Sequence, residues 1–581
     1  MGKIKKIVSK HWILIVILLI ASFLRLYKLS TVPVSLFGDE LDAGYQAYSI
    51  LKTGKDYYGN FMPIHFRSLA EWRTPLYLYS AVPTVAAFGI TPLGVRLPAA
   101  IFGILGVLAM YLFVRQVRLY SKLEIRNSSL EIIAGFLLAI SPWHIQYSRA
   151  GFEVTLLLFL LLLGLYFFFR SFHNSKFIIH SSICFALTPW VYSTAKLFTP
   201  LLLLFLLLVW WKEIFKLSKK YLAFSFLALV IVGAPIALST FFGGGGQRFG
   251  YISVFTNPVT ETEVGTARLN DARMRGELGE GLHPTLLDRV IHNKYTFWGK
   301  NILDNYFRAF STDFLFVKGD INLRHSIGIG EFYKIEALAL IIGLALFFVG
   351  FKDKKVKILM AFWILAGAIP AAITRDGGQH ATRLILVLPP LIFLIAYGVL
   401  NILKMFPLKF WKFVILGLFG IWILEFGNYL HAYYVHYPWE SERWWHSGFG
   451  ESIQLIKSID KDYDQVIIST ANEPPWVFFA GWYEYPPDKW QKEFPIGNDV
   501  ELAGFGKVSH IDKFYFGSPG SDIGIYGLGR IIDNKTLYLA VAKEMGANLI
   551  LEPQRTPENL KLIKAVAYPS GEPAFYLFSG R

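Results

Sequence analysis

The stretch "PLYLYSAVPTVAAFGITPLG", Pro75 to Gly94, decides how the whole chain is laid out. It is greasy enough to enter a bilayer, but Pro83 and Pro92 interrupt it, and an internal proline removes a helix donor and crowds the preceding turn. The remaining apolar runs, at 12–29, 96–114, 131–145, 154–169, 177–191, 197–211, 221–242, 335–351, 356–374, 384–403 and 410–430, have roughly the 15 to 22 residues that span a bilayer. Together they predict about eleven transmembrane helices. If the Pro75 stretch does not cross, and the N-terminus lies inside, alternation sends every basic cluster to the cytoplasm. These clusters are Arg115, Arg118, Lys122 and Arg126; Arg170 and Lys176; Lys212, Lys216, Lys219 and Lys220; Lys352, Lys354, Lys355 and Lys357; and Lys404, Lys409 and Lys412. A crossing at Pro75 would turn all but the first helix's flank outward. The stretch is therefore expected to be interfacial or re-entrant.

Composition agrees with a polytopic membrane protein: of 581 residues, 54% are hydrophobic and only 17% charged. The formal charge of +15 comes from short clusters dispersed between apolar runs, so it encodes orientation and gives no sign of a nucleic-acid partner. The first run, behind Lys3, Lys5, Lys6 and Lys10, lacks a small-residue cleavage site and is expected to stay as a helix. Arg25 and Lys28, at its outer end, run against the charge rule and are assigned to the site. The single cysteine, Cys184, lies in an apolar run and is expected to be packing.

A membrane unit, 1–430, thus presents outer segments at 30–95, 143–153, 192–196, 243–334 and 374–383. The first holds interfacial helices. The tetraglycine at Gly243 lacks the lysine and helix context of a phosphate loop and reads as a flexible link. Residues 431–581 have the composition of a soluble, extracytoplasmic α/β domain of about 140 residues. "DQVIIST" at Asp464, "ANLILEP" at Ala547 and "AFYLF" at Ala574 predict strands, and "TLYLAVAKEMG" at Thr536 predicts a helix. Trp439, Trp444, Trp445, Trp476 and Trp482 are expected to anchor this domain at the interface, with sugar stacking as the alternative.

Each outer segment carries charges that its topology does not require. The first has Asp39, Glu40 and Asp42, then Glu71, Arg73 and Arg96. "SPWHIQYSRAGFE" supplies His144, Arg149 and Glu153. "VYSTAKLFTP" supplies Tyr192 and Lys196, and "TRDGGQHATRLILVLPP" supplies Arg375, Asp376, His380 and Arg383. Any one of these is equally an ion pair or a helix cap, but charges at a membrane are costly and as a set they point to function. Asp39 and Glu153 can deprotonate an acceptor or hold a cation. Arg73, Lys196 and Arg383 can neutralise a phosphate, arginine by a fork and lysine as a point charge.

In order, "FGDELDAGYQAYSILKTG", "EWRTPLYLY", "GVRLPAAIFGILGV", "SPWHIQYSRAGFE", "STAKLFTPLLLL" and "GGQHATRLILVLPP" resemble the GT-C membrane glycosyltransferases over Trp12 to Leu403. The likeness is to the branch of protein mannosyltransferases, aminoarabinose transferases and rhizobial lipopolysaccharide galacturonosyltransferases. It implies a GT-C fold, with Asp39 as general base or acceptor-orienting carboxylate supported by Glu40, and Glu153 as a second acid. It implies donor-phosphate contacts from Arg73, Lys196 and Arg383, and an acidic loop ordered by Arg96. Arg149, Tyr192 and His380 are taken as supporting residues. "STDFLFVKGDINLRHSIGIGEFY" from Ser311 extends the likeness and puts Asp320, Arg324 and His325 along the cleft. Aminoarabinose-type relatives hold a structural metal at the residue before the phosphate-binding Lys or Arg. Here that position is Trp72, with Glu71 one place off, so a divalent metal is possible and no cofactor is required.

The expected reaction is inverting transfer of a sugar from a polyprenyl phosphate to an acceptor hydroxyl on a glycan, lipid or protein. A phosphate leaves readily once neutralised, so a nucleotide site is unnecessary. A transporter or flippase of lipid-linked sugars is the alternative. It predicts midplane charges and repeated halves, neither of which the sequence shows. A scaffold protein, the third reading, has no need of acids and cations spread over five loops.

Overall fold

The computed structural model describes residues 2–68, 72–123, 129–277, 279, 282–403, 408–472, 474–495 and 497–581. Ten helices lead from the N-terminus: α1 (Gly2–Leu26), α2 (Gly38–Thr53), α3 (Pro75–Phe88), α4 (Pro92–Tyr120), α5 (Ser129–Ile140), α6 (Pro142–Arg149), α7 (Val154–Ser171), α8 (Phe177–Leu187), α9 (Ala195–Ile214) and α10 (Lys219–Phe242). The later apolar helices are Lys334–Gly350, Lys354–Gly367, Leu388–Ile402 and Leu408–His431.

Every expected span is met by an apolar helix, and seven helices in the described residues are long and apolar enough to cross a membrane. The others are shorter. The 131–145 run in particular breaks at Ser141, where α5 ends and α6 begins under a Ser141 cap that accepts from the His144 N–H. The α3 helix has 14 residues, about 21 Å at 1.5 Å per residue, less than the ~30 Å apolar core of a bilayer. Pro75 sits in its first turn, where its missing donor costs nothing. The core lies between α4, α5, α7 and Leu388–Ile402, while α10 and residues 413–431 bury few of their side chains.

The C-terminal part contains a seven-stranded mixed sheet. A short hairpin in the first outer segment supplies β1 (Phe66–Arg67) and β2 (Trp72–Arg73); the sheet then runs from β3 (Gln465–Ile468) through β4 (Asp499–Leu502), β5 (Gly506–Ile511), β6 (Phe514–Phe516), β7 (Thr536–Val541) and β8 (Leu560–Ala567) to β9 (Pro573–Gly580). The spatial order is β4-β5-β6-β3-β7-β9-β8, with β3 parallel to both of its neighbours. Two sequence expectations fail here. Thr536–Val541 is a strand, not a helix, and Ala547 to Pro553 contains no strand. All six β7 residues are buried, and a central strand covered on both faces reads as a continuous apolar run, which periodicity cannot tell from a helix.

The two parts share side chains. Tyr433, Tyr437 and Trp445 lie in the helical core. Leu41 and Tyr45 of α2 share a second core with Phe449, Phe478 and Phe479. The tyrosine hydroxyl of Tyr45 donates to the Tyr485 carbonyl, and Gln491 donates to the Ser49 and Thr53 hydroxyls and the Asp56 carbonyl. Trp445 and Trp476 are buried, so neither is an interfacial anchor, whereas Trp439 and Trp444 are exposed.

Candidate active site

α2 begins at Gly38, just after Phe37, and places Asp39 and Glu40 in its first turn, where unpaired backbone N–H groups favour negative charge. The two acids face different ways. Asp39 is exposed, and its backbone carbonyl accepts from Arg73 Nη1 at 2.8 Å. Glu40 is fully buried. It receives a bidentate fork from Arg96 at 2.7 and 2.8 Å and accepts the Gly151 N–H at 2.7 Å. Arg96 also donates to the carbonyls of Pro33 and Ser35 and lies over the Trp445 ring. One buried pair thus ties the loop before α2, the start of α4 and the α6–α7 turn together.

Asp42, one turn along α2, is buried beside Asp39. Tyr57 donates to its Oδ1 at 2.6 Å and Arg73 to its Oδ2 at 3.1 Å. Burial pushes the Asp42 carboxyl above its ordinary range against the pull of Arg73 and of its hydrogen bonds from Tyr57 and Ser68. Arg73 extends its other nitrogen to Glu153 Oε1 at 2.6 Å. Its fork is therefore spent on two carboxylates and a carbonyl, and it is 5% exposed. The guanidinium expected to meet a phosphate instead organises the acids.

A cationic cavity lies next door. Lys196 and Arg383 line one cavity of about 300 Å³, together with Arg248, Tyr192, Phe241 and Phe249. Lys196 Nζ donates to the Gly245 carbonyl at 2.9 Å and meets His65 Nε2 at 3.0 Å. Among the described residues no carboxylate is ion-paired with it. Arg383 donates to Thr374 Oγ1 at 2.8 Å and to the Arg375 carbonyl at 2.9 Å. Burial first, and then the charge of Lys196, hold His65 at a pKa of about 4, so it stays neutral.

The tetraglycine is a close-packed seat in this wall, and the flexible link expected of it is not what is found. A Cβ on Gly244 would come within 2.4 Å of the Trp72 indole, and one on Gly245 within 2.4 Å of the His65 ring. Only glycine lets both aromatic rings lie against the backbone while Gly245 offers its carbonyl to Lys196. The β1–β2 hairpin joins the two halves: Arg73 reaches the acids, and Trp72 beside it rests on the glycines.

The remaining expected residues are distributed as follows. Arg149 donates to the Leu24 and Val32 carbonyls and lies over the Tyr433 and Tyr434 rings, fastening the end of α1. Arg25 is fully buried and donates to the Ala21, Ala139 and Leu138 carbonyls, so it serves helix ends and not the site, while Lys28 is exposed. Arg324 donates to the Trp444 carbonyl and contacts His446, bridging toward the C-terminal part, with its charge over the Phe37 ring. Asp320 and His325 pair at 2.9 Å, with His380 beside them at a ring separation of 4.7 Å. Glu71 lies outside the described residues. At the relatives' metal position the Trp72 indole N–H donates to Gln247, an arrangement with no ligand atom to offer. His65, Arg248 and the glycines were missed: a lone histidine between apolar residues and an arginine behind a presumed link carry no motif.

The sequence matches no protein-family model and no curated protein. Among solved structures, the chain is similar to ArnT from Cupriavidus metallidurans bound to undecaprenyl phosphate, with a TM-score of 0.51 at 12% identity and coverage of 98% of each chain. The fold is GT-C. A further GT-C neighbour is the archaeal oligosaccharyltransferase AglB from Archaeoglobus fulgidus, in complex with an inhibitory peptide and a dolichol-phosphate. It matches at a TM-score of 0.45 and 14% identity over 82% of this chain, which spans 64% of that one.

Proposed function

We infer that this GT-C chain is a glycosyltransferase that takes a sugar from a polyprenyl phosphate and passes it, with inversion, to an extracytoplasmic hydroxyl. The observation that carries this reading is the pairing of an exposed carboxylate with a cationic cavity whose exposed wall is largely apolar. A lipid phosphate needs both features of that cavity: Lys196, Arg248 and Arg383 for its charge, Phe241 and Phe249 for the start of its chain.

Asp39 is the base. It is exposed on a helix fixed by the Glu40–Arg96 clamp, so it can accept the proton of an acceptor hydroxyl as the oxygen attacks the anomeric carbon. The bond from that carbon to the phosphate oxygen breaks, and the electron pair leaves on a polyprenyl phosphate stabilised by the cavity cations. Glu153 and Asp42 hold Arg73 against the Asp39 carbonyl, fixing where the base points. The site is read as extracytoplasmic in a plasma or inner membrane, with the N-terminus in the cytoplasm. The metal that aminoarabinose-type relatives hold near the residue before the phosphate-binding one finds no ligand atom on the Trp72 side chain.

Incubating the purified chain with a polyprenyl phosphate carrying a radiolabelled sugar tests the reading. The expected result is acceptor- or water-dependent release of polyprenyl phosphate. A lipid that moves between leaflets of a proteoliposome with its sugar still attached would instead establish the flippase.

A further inference from the structure

Behind the acidic half of the site, the segment around Asp320 and the turn at His380 bring three ligand-type side chains together. One donor atom from each of Asp320, His325 and His380 lies within 4.8 Å of the other two. His325 Nδ1 and Asp320 Oδ2 are 2.9 Å apart. Two ligands on a tetrahedral zinc at about 2.0–2.1 Å stand about 3.3 Å apart, so a small outward shift opens this pair around an ion. His380 adds a further observation: its Nδ1 is sealed from solvent and has no hydrogen-bond partner, a state disfavoured in a folded protein.

Charge points the same way. Asp320 is 5% exposed and Glu331, whose Oε1 accepts the Asp320 N–H at 3.2 Å, is 2% exposed. Among the described residues neither carboxylate is ion-paired with a lysine or arginine, and buried carboxylates without a cation are strongly disfavoured. The Ala381 N–H donates to Asp320 Oδ2 at 2.9 Å, which orients that carboxylate toward the imidazoles as outer hydrogen bonds do for metal ligands.

We propose that Asp320, His325 and His380 form a divalent-cation site of the zinc class. Two imidazoles and one carboxylate are the ligand softness that zinc favours, and they exclude calcium and magnesium, which take oxygen. The site is structural. Aromatic rings separate it from the base, because His325 packs on Phe152, which packs on Phe37 beside the start of α2. What the ion joins is the segment carrying Asp320 and the turn that three residues later delivers Arg383 to the cationic cavity. That consequence, unlike the site itself, rests on reading the cavity as the donor site.

The test uses the full-length chain purified in detergent without metal-chelate resin. Elemental analysis is expected to find one zinc per chain, and after chelation Co²⁺ is expected to rebind with the intense visible bands of tetrahedral coordination. His325→Gln and His380→Gln should each lower the zinc content at least tenfold, while His65→Gln leaves it unchanged. Should either variant fail to fold, the Co²⁺ spectrum of the unsubstituted protein decides. A protein that takes up neither zinc nor Co²⁺, or variants that keep a full equivalent, overturn the site. Sugar transfer measured on the same preparations separates the two readings: transfer without metal uptake defeats the site alone, and metal uptake without transfer defeats only the glycosyltransfer reading.

Discussion

The acid cluster and the cationic cavity sit side by side, but are built on opposite principles. Around Asp42 and Glu153 the acids have a bonded partner: one cation, Arg73, spans both carboxylates, Tyr57 donates to one of them, and the group is sealed from water. In the cavity, Lys196 is held by a neutral imidazole and a carbonyl, in a largely apolar wall. A paired arginine has little left to give an incoming anion, whereas Lys196 is ion-paired with no carboxylate among the described residues. Two basic residues that look equivalent in the sequence therefore differ in setting: Arg73 is bonded to Asp42, Glu153 and the Asp39 carbonyl, and Lys196 lines a cavity.

The largest effect expected is on chemistry. Asp39→Asn should reduce sugar transfer by about 10²–10⁴-fold, the usual contribution of a positioned base, with donor binding measured by lipid competition unchanged. An active Asp39→Asn protein would remove the base from the acid half. Next comes stability. Arg73→Met leaves Asp42 and Glu153 buried without their cation and should cost about 3–5 kcal/mol, read as a lowered unfolding midpoint in detergent. If that variant instead melts normally and only loses affinity for the lipid donor, Arg73 belongs with Lys196 in the phosphate half.

Lys196→Met should be milder and of another kind. Losing one charge-assisted hydrogen bond of about 1.5–3 kcal/mol raises KM for the donor roughly 10- to 150-fold and leaves the melting point nearly unmoved. The smallest effect is on pH. His65 has its folded pKa held near 4, below the ordinary 6.5, so the folded state prefers it neutral. Its contribution is complete above about pH 6.5 and fades as pH falls toward 4, because the unfolded chain takes up the proton first. His65→Asn should flatten that part of a stability-versus-pH curve, measured against the unsubstituted protein.

How far the residues alone lead depends on the length over which a signal is written. Bilayer-length runs announce the helices because length is a local fact, but the interruption expected at Pro83 is not found: α3 runs through it and ends at Phe88, with Gly89 as its C-cap. The β7 strand misled because a fully buried run has no alternation to read. In the site, charges at span ends were visible, but their partners were not. Nothing near Arg73 in the sequence says that Glu153 will take its fork, and nothing in four glycines says that Trp72 and His65 will lie on them. Those facts arise only when distant segments close on one another.

The shared packing between α2 and the sheet domain bears on any attempt to shorten this protein. The helix that holds Asp39 rests one face on Phe449, Phe478 and Phe479 and is latched by Gln491. Amputating the chain after its final apolar helix would keep the described apolar helices and still strip the packing beneath Asp39, so the shortened protein is expected to insert without transferring sugar.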